Sequence, residues 1–206
     1  MYKNCIKRIL DILISGVAII VLAIPMLIVS VAIKIDTKGP VLFKQKRVGI
    51  HKKYFNILKF RSMPTSTPSD MPTHLLQNAG SNLTPFEEKM RKYSIDELPQ
   101  LFNIFAGSMS FVGPRPALWN QYDLIAERDK YGANDVKPGL TGWAQINGRD
   151  ELEIDVKAKY DGEYVRRLSF AFDLKCFLGT FLKVFRAEGV VEGGTGAMSA
   201  EKDKNN

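Results

Sequence analysis

Two adjacent acidic residues, Asp96 and Glu97, lie in the polar stretch Ser-Ile-Asp-Glu-Leu-Pro-Gln, which is set in apolar surroundings. Ser94 followed by Glu97 is the pattern of a capping box, which would give both acids a structural role. Pro99, however, is tolerated only in the first turn of a helix, so a helix is predicted to begin at about Asp96. The Asp96 carboxylate would then lie at the positive end of the helix dipole, a position that favours an ionised acid and attracts phosphate.

The two acids are predicted to have different roles. Consecutive residues of a helix point about 100° apart, so Asp96 and Glu97 are not expected to share one proton. An ionised aspartate can act as a nucleophile, and a neighbouring glutamate can hold a divalent cation that neutralises a diphosphate.

Basic residues near these acids form a candidate phosphate site. The sequence Gly-Pro-Arg-Pro holds Arg115 on stiff backbone, which suits bidentate phosphate binding, although an exposed turn with a solvated charge has the same pattern. Lys59 and Arg61 alternate on a predicted strand and would share one face, which suits an anion and equally a solvent-facing surface. Arg91 precedes the acidic pair and Arg149 follows a glycine-rich turn.

Composition limits the classes of function. The 206 residues are 45% hydrophobic, which suffices for one domain plus an appendage, and the net charge of +7 indicates an anionic partner. Nucleic acid is not expected, because the basic residues are not combined with a stacking or groove-reading motif. Anionic lipid and a phosphorylated substrate remain as candidates for the anionic partner. The two cysteines suggest neither a disulfide framework nor a metal cluster.

An uncharged segment over residues 12–33 is just long enough to span a bilayer as a helix. Pro25 lies near its middle, and lysines or arginines flank both ends, which indicates that both ends face the cytoplasm. These features predict a helix that breaks at Pro25 and re-enters the leaflet it came from, with a straight or kinked span as the alternative.

The predicted fold class is α+β and mostly helical, with a re-entrant membrane helix, a small β-hairpin and several helices packed at the membrane surface. The hairpin joins residues 41–47 to 54–60, and a long loop covers residues 63–85. Helices are predicted at residues 86–92, 98–105, 118–130, 156–167 and 170–186. The last is apolar almost all round and lies either against the membrane or in the core. The predicted domains are a membrane segment (1–36), a cytoplasmic catalytic domain (37–191) and a disordered tail (192–206).

Four motifs occur together in order: Lys-Phe-Arg-Ser-Met, Asp-Glu-Leu-Pro-Gln, Gly-Pro-Arg-Pro and Pro-Gly-Leu-Thr-Gly-Trp-Ala-Gln-Ile-Asn-Gly-Arg. With them the chain resembles the bacterial sugar transferase family from Lys7 to about Gly189. The members it resembles are small monotopic phosphoglycosyl transferases, which initiate glycoconjugate, capsule or exopolysaccharide assembly. The family breaks its membrane helix at a Ser-Pro pair, whereas this chain has Ile24-Pro25.

The resemblance implies that Asp96 attacks the sugar-bearing phosphate of a UDP-sugar, releases UMP and holds a covalent phospho-sugar. Undecaprenyl phosphate, a polyprenol phosphate, then takes the phospho-sugar, and Glu97 ligates Mg²⁺. The residues expected to bind substrate or phosphate are Lys59, Arg61, Arg91, Arg115, Gln145 and Arg149. The expected location is the cytoplasmic face of the bacterial inner membrane, in contact with membrane lipid. Both a monomer and a homodimer are compatible with the sequence.

Two other functions fit parts of the sequence. The first is a membrane-tethered binding module in which the acidic pair only caps a helix. The second is a glycosyltransferase that moves the sugar alone and releases UDP, with metal ligands in the acidic run at residues 151–155. A solvated approach to a helix is the simpler explanation of that acidic run.

Overall fold

The computed structural model describes residues 2–68, 83–148 and 152–186, and within them the fold is α+β and mostly helical, as predicted. The predicted tail (192–206) and most of the predicted loop (63–85) lie outside the described residues. The elements are α1 (Lys7–Val21), α2 (Ala23–Asp36), β1 (Leu42–Val48), β2 (Tyr54–Phe60), α3 (Pro85–Lys92), α4 (Gln100–Ala106), β3 (Ser110–Val112), α5 (Tyr122–Asp129), β4 (Gly139–Thr141), α6 (Trp143–Ile146), α7 (Ile154–Arg167) and α8 (Phe170–Arg186).

The apolar N-terminal segment forms two helices, α1 and α2, that are bent by 60° relative to each other at Leu22. Pro25 lies in the first turn of α2, where it has no N–H to donate to the carbonyl of Val21. The predicted break near Pro25 is therefore present. Among the described residues, no single helix is long and apolar enough to cross a membrane, whereas the bent pair meets this criterion by length and composition.

Polar side chains of α1 attach this helix to the rest of the fold. Arg8 donates from Nη1 to Ile104 O at 2.6 Å and from Nη2 to Phe105 O at 2.8 Å, at the C-terminal end of α4. Asp11 is buried, and its Oδ1 accepts hydrogen bonds from Ser110 Oγ at 3.0 Å and Phe111 N at 3.1 Å. The N-terminal helix is thus fixed to both α4 and β3.

The predicted hairpin is confirmed as antiparallel β1 and β2, with Leu42 opposite Phe60 and Val48 opposite Tyr54. A second sheet was not predicted: β3 and β4 pair in parallel, with Ser110 opposite Gly139. The pairing escaped prediction because three-residue strands are too short to show alternation. Gly139 is required by close approach, since a Cβ there would lie 2.1 Å from Gly113 N.

Helix positions agree with the predicted ranges to within two residues, apart from the start of α5 and the missed α6. Helix α5 begins at Tyr122 instead of 118, because the backbone N–H of Leu118 donates to Gln121 Oε1 at 2.8 Å and Leu118 bridges to β1. The short α6 was missed. Helix α8 buries Phe172 and Cys176 in the core and exposes Leu178, so its two faces differ although the sequence is apolar all round.

Candidate active site

Asp96 and Glu97 lie in a single turn of 3₁₀-helix, Ile95–Glu97, between α3 and α4. Helix α4 begins at Gln100, with Pro99 as its N-cap residue, so the predicted helix start at Asp96 was wrong. Ser94 adopts a left-handed conformation (φ 55°) and its side chain caps nothing, so no Ser94–Glu97 capping box forms. The acidic pair therefore lies on a connecting turn and not at the end of the α4 dipole.

The Glu97 carboxylate is held by two cationic side chains. Its Oε1 accepts hydrogen bonds from Lys59 Nζ at 2.8 Å and from Arg115 Nη2 at 3.0 Å. Burial by itself would raise the pKa of Glu97, but Lys59 and Arg115 outweigh it and hold this pKa well below the ordinary range. Glu97 is consequently a permanent anion at neutral pH.

The Asp96 carboxylate has longer contacts and the opposite shift. Its residue is 7% exposed, with Oδ2 3.5 Å from Ser62 Oγ and 3.9 Å from Lys59 Nζ. Burial raises the pKa of Asp96, while the positive charges of Lys59, Arg91 and Arg115 oppose the rise and the negative charge of Glu97 adds to it. The expected placement of Asp96 at the start of a helix was wrong; nearby cations favour its ionised form, but burial outweighs them and the pKa of Asp96 is raised.

Lys59 is positioned by β2, and β2 is fastened to α4 by one amide side chain. Asn103 of α4 accepts from Leu58 N at 2.8 Å through Oδ1 and donates from Nδ2 to Asn56 O at 2.9 Å. The side-chain amide of Asn103 thus bonds to the β2 backbone as the backbone of an adjacent strand would. These bonds fix Lys59 relative to the turn just before α4. Asn103 was not predicted, because nothing local in the sequence reveals a contact made across 45 residues.

Arg115 is held by the end of β1 and by the second sheet. Arg47 Nη1 donates to Pro116 O at 3.0 Å, and Val48 N donates to Ala117 O at 2.9 Å. On the other side, Gly139 N donates to Pro114 O at 2.9 Å. The Gly-Pro-Arg-Pro segment is thus a supported turn that presents Arg115 to Glu97.

The structure brings together five of the predicted site residues. Four of them are in contact, namely Asp96, Glu97, Lys59 and Arg115. The fifth, Arg91, is close enough for its positive charge to lower the pKa of Asp96. Arg61 is directed elsewhere, to the end of α2. Gln145 is buried and donates to Leu140 O at 3.0 Å, and Arg149 lies outside the described residues. Ser62 was missed as a site residue although it belongs to the Lys-Phe-Arg-Ser-Met motif.

The acidic residues of this site fit one kind of metal centre. No group of three or more His, Cys, Asp or Glu side chains gathers anywhere in residues 2–68, 83–148 and 152–186. Mg²⁺ in phosphate-transfer sites takes only one or two carboxylates and completes its coordination with substrate phosphates and water, so the single carboxylate of Glu97 fits this kind of site. The acidic run at residues 151–155 is a poorer candidate for a metal site. The side chain of Asp155 is exposed and pairs with Lys159, and Glu151 is outside the described residues.

Two adjacent carboxylates beside a lysine and an arginine, in a small α+β fold, are an arrangement suited to group transfer on phosphorylated substrates. The family model of the bacterial sugar transferases matches residues 2–187. The chain belongs to the bacterial sugar transferase family and is a transferase, as its motifs had indicated.

Three relatives illustrate the similarity. The sugar transferase EpsL of Bacillus subtilis is 38% identical, over 96% of this chain and 95% of its own. UDP-glucose:undecaprenyl-phosphate glucose-1-phosphate transferase of Escherichia coli is 37% identical over 89% of this chain, which spans 40% of that protein. UDP-N-acetylgalactosamine-undecaprenyl-phosphate N-acetylgalactosaminephosphotransferase of Aeromonas hydrophila is 35% identical over 89% of this chain, which spans 44% of it.

Proposed function

We propose that this enzyme transfers a phospho-sugar from a UDP-sugar to undecaprenyl phosphate and releases UMP. Relatives named for this type of reaction, with glucose and with N-acetylgalactosamine, support the proposal. The observation that carries it is the pairing of a buried aspartate with a glutamate that Lys59 and Arg115 keep ionised. The product would begin the assembly of a lipid-linked glycan such as a capsule or exopolysaccharide.

In the first step, a carboxylate oxygen of Asp96 attacks the phosphorus that bears the sugar. A bond forms between Asp96 and phosphorus, the bond to the bridging oxygen of the diphosphate breaks, and UMP leaves with the electron pair. Lys59 and Arg115 provide positive charge beside the reacting phosphate, where negative charge accumulates on the phosphoryl oxygens. Arg91 adds to this charge, and Arg149 is proposed to do the same.

In the second step, an oxygen of undecaprenyl phosphate attacks the same phosphorus and the Asp96 carboxylate leaves. The product is an undecaprenyl diphospho-sugar, and Asp96 returns to its initial state. The same cations serve both steps, because both pass through a phosphoryl group in the same place.

Glu97 is the residue proposed to hold Mg²⁺. When bound, the ion would neutralise charge on the donor diphosphate, as it does in other phosphate-transfer enzymes. The pKa of Glu97, lowered by Lys59 and Arg115, keeps this carboxylate ionised at neutral pH, which binding of a metal ion requires.

The bent pair α1 and α2 is proposed to insert into the cytoplasmic face of the bacterial inner membrane without crossing it. Large apolar side chains on both helices face outward, which suits contact with lipid tails and not with water. These exposed residues include Leu13, Val17, Ile20, Ile24, Leu27 and Ile28.

The test is nucleotide release by the purified, lipid-embedded protein with Mg²⁺, undecaprenyl phosphate and a panel of UDP-sugars. The proposal expects UMP, formed over many turnovers only when the lipid acceptor is present, and the panel names the donor. Release of UDP would instead establish transfer of the sugar alone, and no release with any donor would favour a non-catalytic binding module.

A further inference from the structure

Arg61 lies immediately after β2, and its guanidinium group is buried against the end of α2. Nη1 donates to Lys38 O at 2.7 Å, and Nη2 donates to Thr37 O and to Thr37 Oγ1, each at 2.7 Å. The residue is only 5% exposed. Nη2 also lies 3.4 Å from Ile33 O in the last turn of α2, so the guanidinium is placed at the C-terminal end of this helix, where the helix dipole stabilises a cation.

The side chains on either side of Arg61 also contact the acidic pair. Lys59 and Ser62, on either side of Arg61, both contact Asp96, and Lys59 binds Glu97 as well. Arg61 N donates to Val41 O at 2.9 Å, which continues the hairpin for one more residue. One four-residue segment therefore joins the end of the bent helix pair to both carboxylates.

This geometry argues against a direct role of Arg61 on a phosphate. Its terminal nitrogens are occupied by three hydrogen bonds to residues 37 and 38, and a phosphate ligand would have to replace them. The planar guanidinium is also the group that fits several carbonyls at once, which the single ammonium of a lysine does less well.

We propose that Arg61 is a positioning residue that couples the bent helix pair to the active site. By holding the end of α2, it keeps Lys59 and Ser62 at the distances at which they act on Asp96 and Glu97. The carboxylate pair is thus correctly assembled only while α2 is docked. This inference rests on the proposed function only in that the phosphotransfer reaction provides its readout.

The experiment compares Arg61→Lys, Arg61→Met and the milder Thr37→Val, with Arg166→Lys on the exposed face of α7 as the matched control. Rates are divided by the folded fraction, measured by thermal unfolding in the same lipid. For Arg61→Met we expect kcat to fall on the order of 10²-fold with KM for the UDP-sugar nearly unchanged, because misplacing a reactive group by about 1 Å has that effect.

We expect Arg61→Lys to restore part of the lost kcat and Thr37→Val to lower kcat less than Arg61→Met, while Arg166→Lys behaves as wild type. Hydrogen exchange should rise together at residues 33–38 and 59–62 in the Arg61 variants. Should Arg61→Met not fold, Thr37→Val and Arg61→Lys carry the comparison.

Two results would overturn the inference. A raised KM with unchanged kcat would assign Arg61 to phosphate binding, as the sequence predicted. An unchanged kcat per folded molecule would leave it a purely structural role. Absence of UMP release by the wild-type enzyme would instead refute the proposed function, so the two failures are distinguishable.

Discussion

Asp96 and Glu97 are neighbours in the chain, yet their surroundings separate them chemically. Glu97 receives two hydrogen bonds from cations and its pKa falls, whereas Asp96 is buried with longer contacts and its pKa rises. A carboxylate whose charge is less well stabilised is the better nucleophile, and one that is always ionised is the better ligand for a cation. The division of roles expected from the sequence thus has a physical basis in the site.

Replacing Lys59 with methionine should move the acid limb of the pH profile to higher pH. As the proposed nucleophile, Asp96 would attack only when ionised, so kcat/KM should fall as the pH drops through its pKa, and Lys59 is the charge that lowers this pKa most. Losing Lys59 raises the pKa further and, at neutral pH, should also reduce kcat by about 10²-fold or more through lost charge stabilisation. The measurement is kcat/KM for the UDP-sugar across a pH series.

Lys44→Met is the matched control for this experiment. Lys44 lies on β1 beside Phe43, which pairs with Lys59, so its side chain points to the opposite face of the hairpin and is exposed. An acid limb that does not move in Lys59→Met, or that moves as far in Lys44→Met, would contradict the electrostatic account of Asp96.

At the scale of elements, α5 and α7 are joined by a buried ion pair. Arg128 donates from Nε to Asp161 Oδ2 at 2.8 Å, and the two side chains are 3% and 1% exposed. Burial raises the pKa of Asp161, and the charge of Arg128 opposes that rise. The pair is a buried electrostatic contact between these two helices.

Asp161→Ala should lower the free energy of unfolding by about 3–5 kcal/mol, because it leaves the Arg128 charge buried without its partner. Asp155→Ala removes an exposed pair with Lys159 on the same helix and should change stability by less than about 1 kcal/mol. Urea unfolding of both variants in one detergent measures the difference. Equal losses would show that burial does not set the value of this pair.

The sequence predicted the elements whose patterns are local. The hairpin, the break near Pro25 and the helix that ends at Arg167 follow from alternation, a missing N–H and apolar periodicity. The parallel pairing of β3 with β4 escaped prediction, because three-residue strands carry no period and their partner is distant in the chain.

The same distinction between local sequence patterns and contacts of distant residues applies to the active site. Asp96, Glu97, Lys59 and Arg115 were found because charged residues in stiff or polar motifs stand out. The role of Asn103 and the direction of Arg61 depend on which distant backbone each meets, and the start of α4 depended on a 3₁₀ turn that the Ser94 pattern did not reveal.

At the scale of the whole molecule, the apolar exposed surface of α1 and α2 is joined to the polar site by a few charged contacts. Lys7 reaches Asp173 of α8, Arg8 reaches the end of α4 and Asp11 reaches β3. If the pair inserts into the membrane as proposed, these contacts would hold the active site at a fixed position relative to the lipid surface, where the proposed acceptor phosphate would lie.

A re-entrant arrangement predicts that both ends of the bent pair face the same side of the membrane. Cys5 precedes α1 and is exposed, whereas Cys176 is buried and should not react. A membrane-impermeant maleimide should label Cys5 in inside-out vesicles, and should label a Cys5→Ser/Lys38→Cys variant equally. Labelling of the two positions from opposite sides would show that the pair crosses the bilayer.

The most direct test of Asp96 as the nucleophile is mass spectrometry of the intact protein and of its peptides after incubation with a UDP-sugar and Mg²⁺ in the absence of acceptor lipid. We predict an added sugar phosphate on the peptide that contains Asp96, its loss when undecaprenyl phosphate is supplied, and no adduct in Asp96→Asn. An adduct that persists in Asp96→Asn, or UMP formation by wild-type enzyme without any adduct during single-turnover sampling, would contradict the role of Asp96 as the nucleophile.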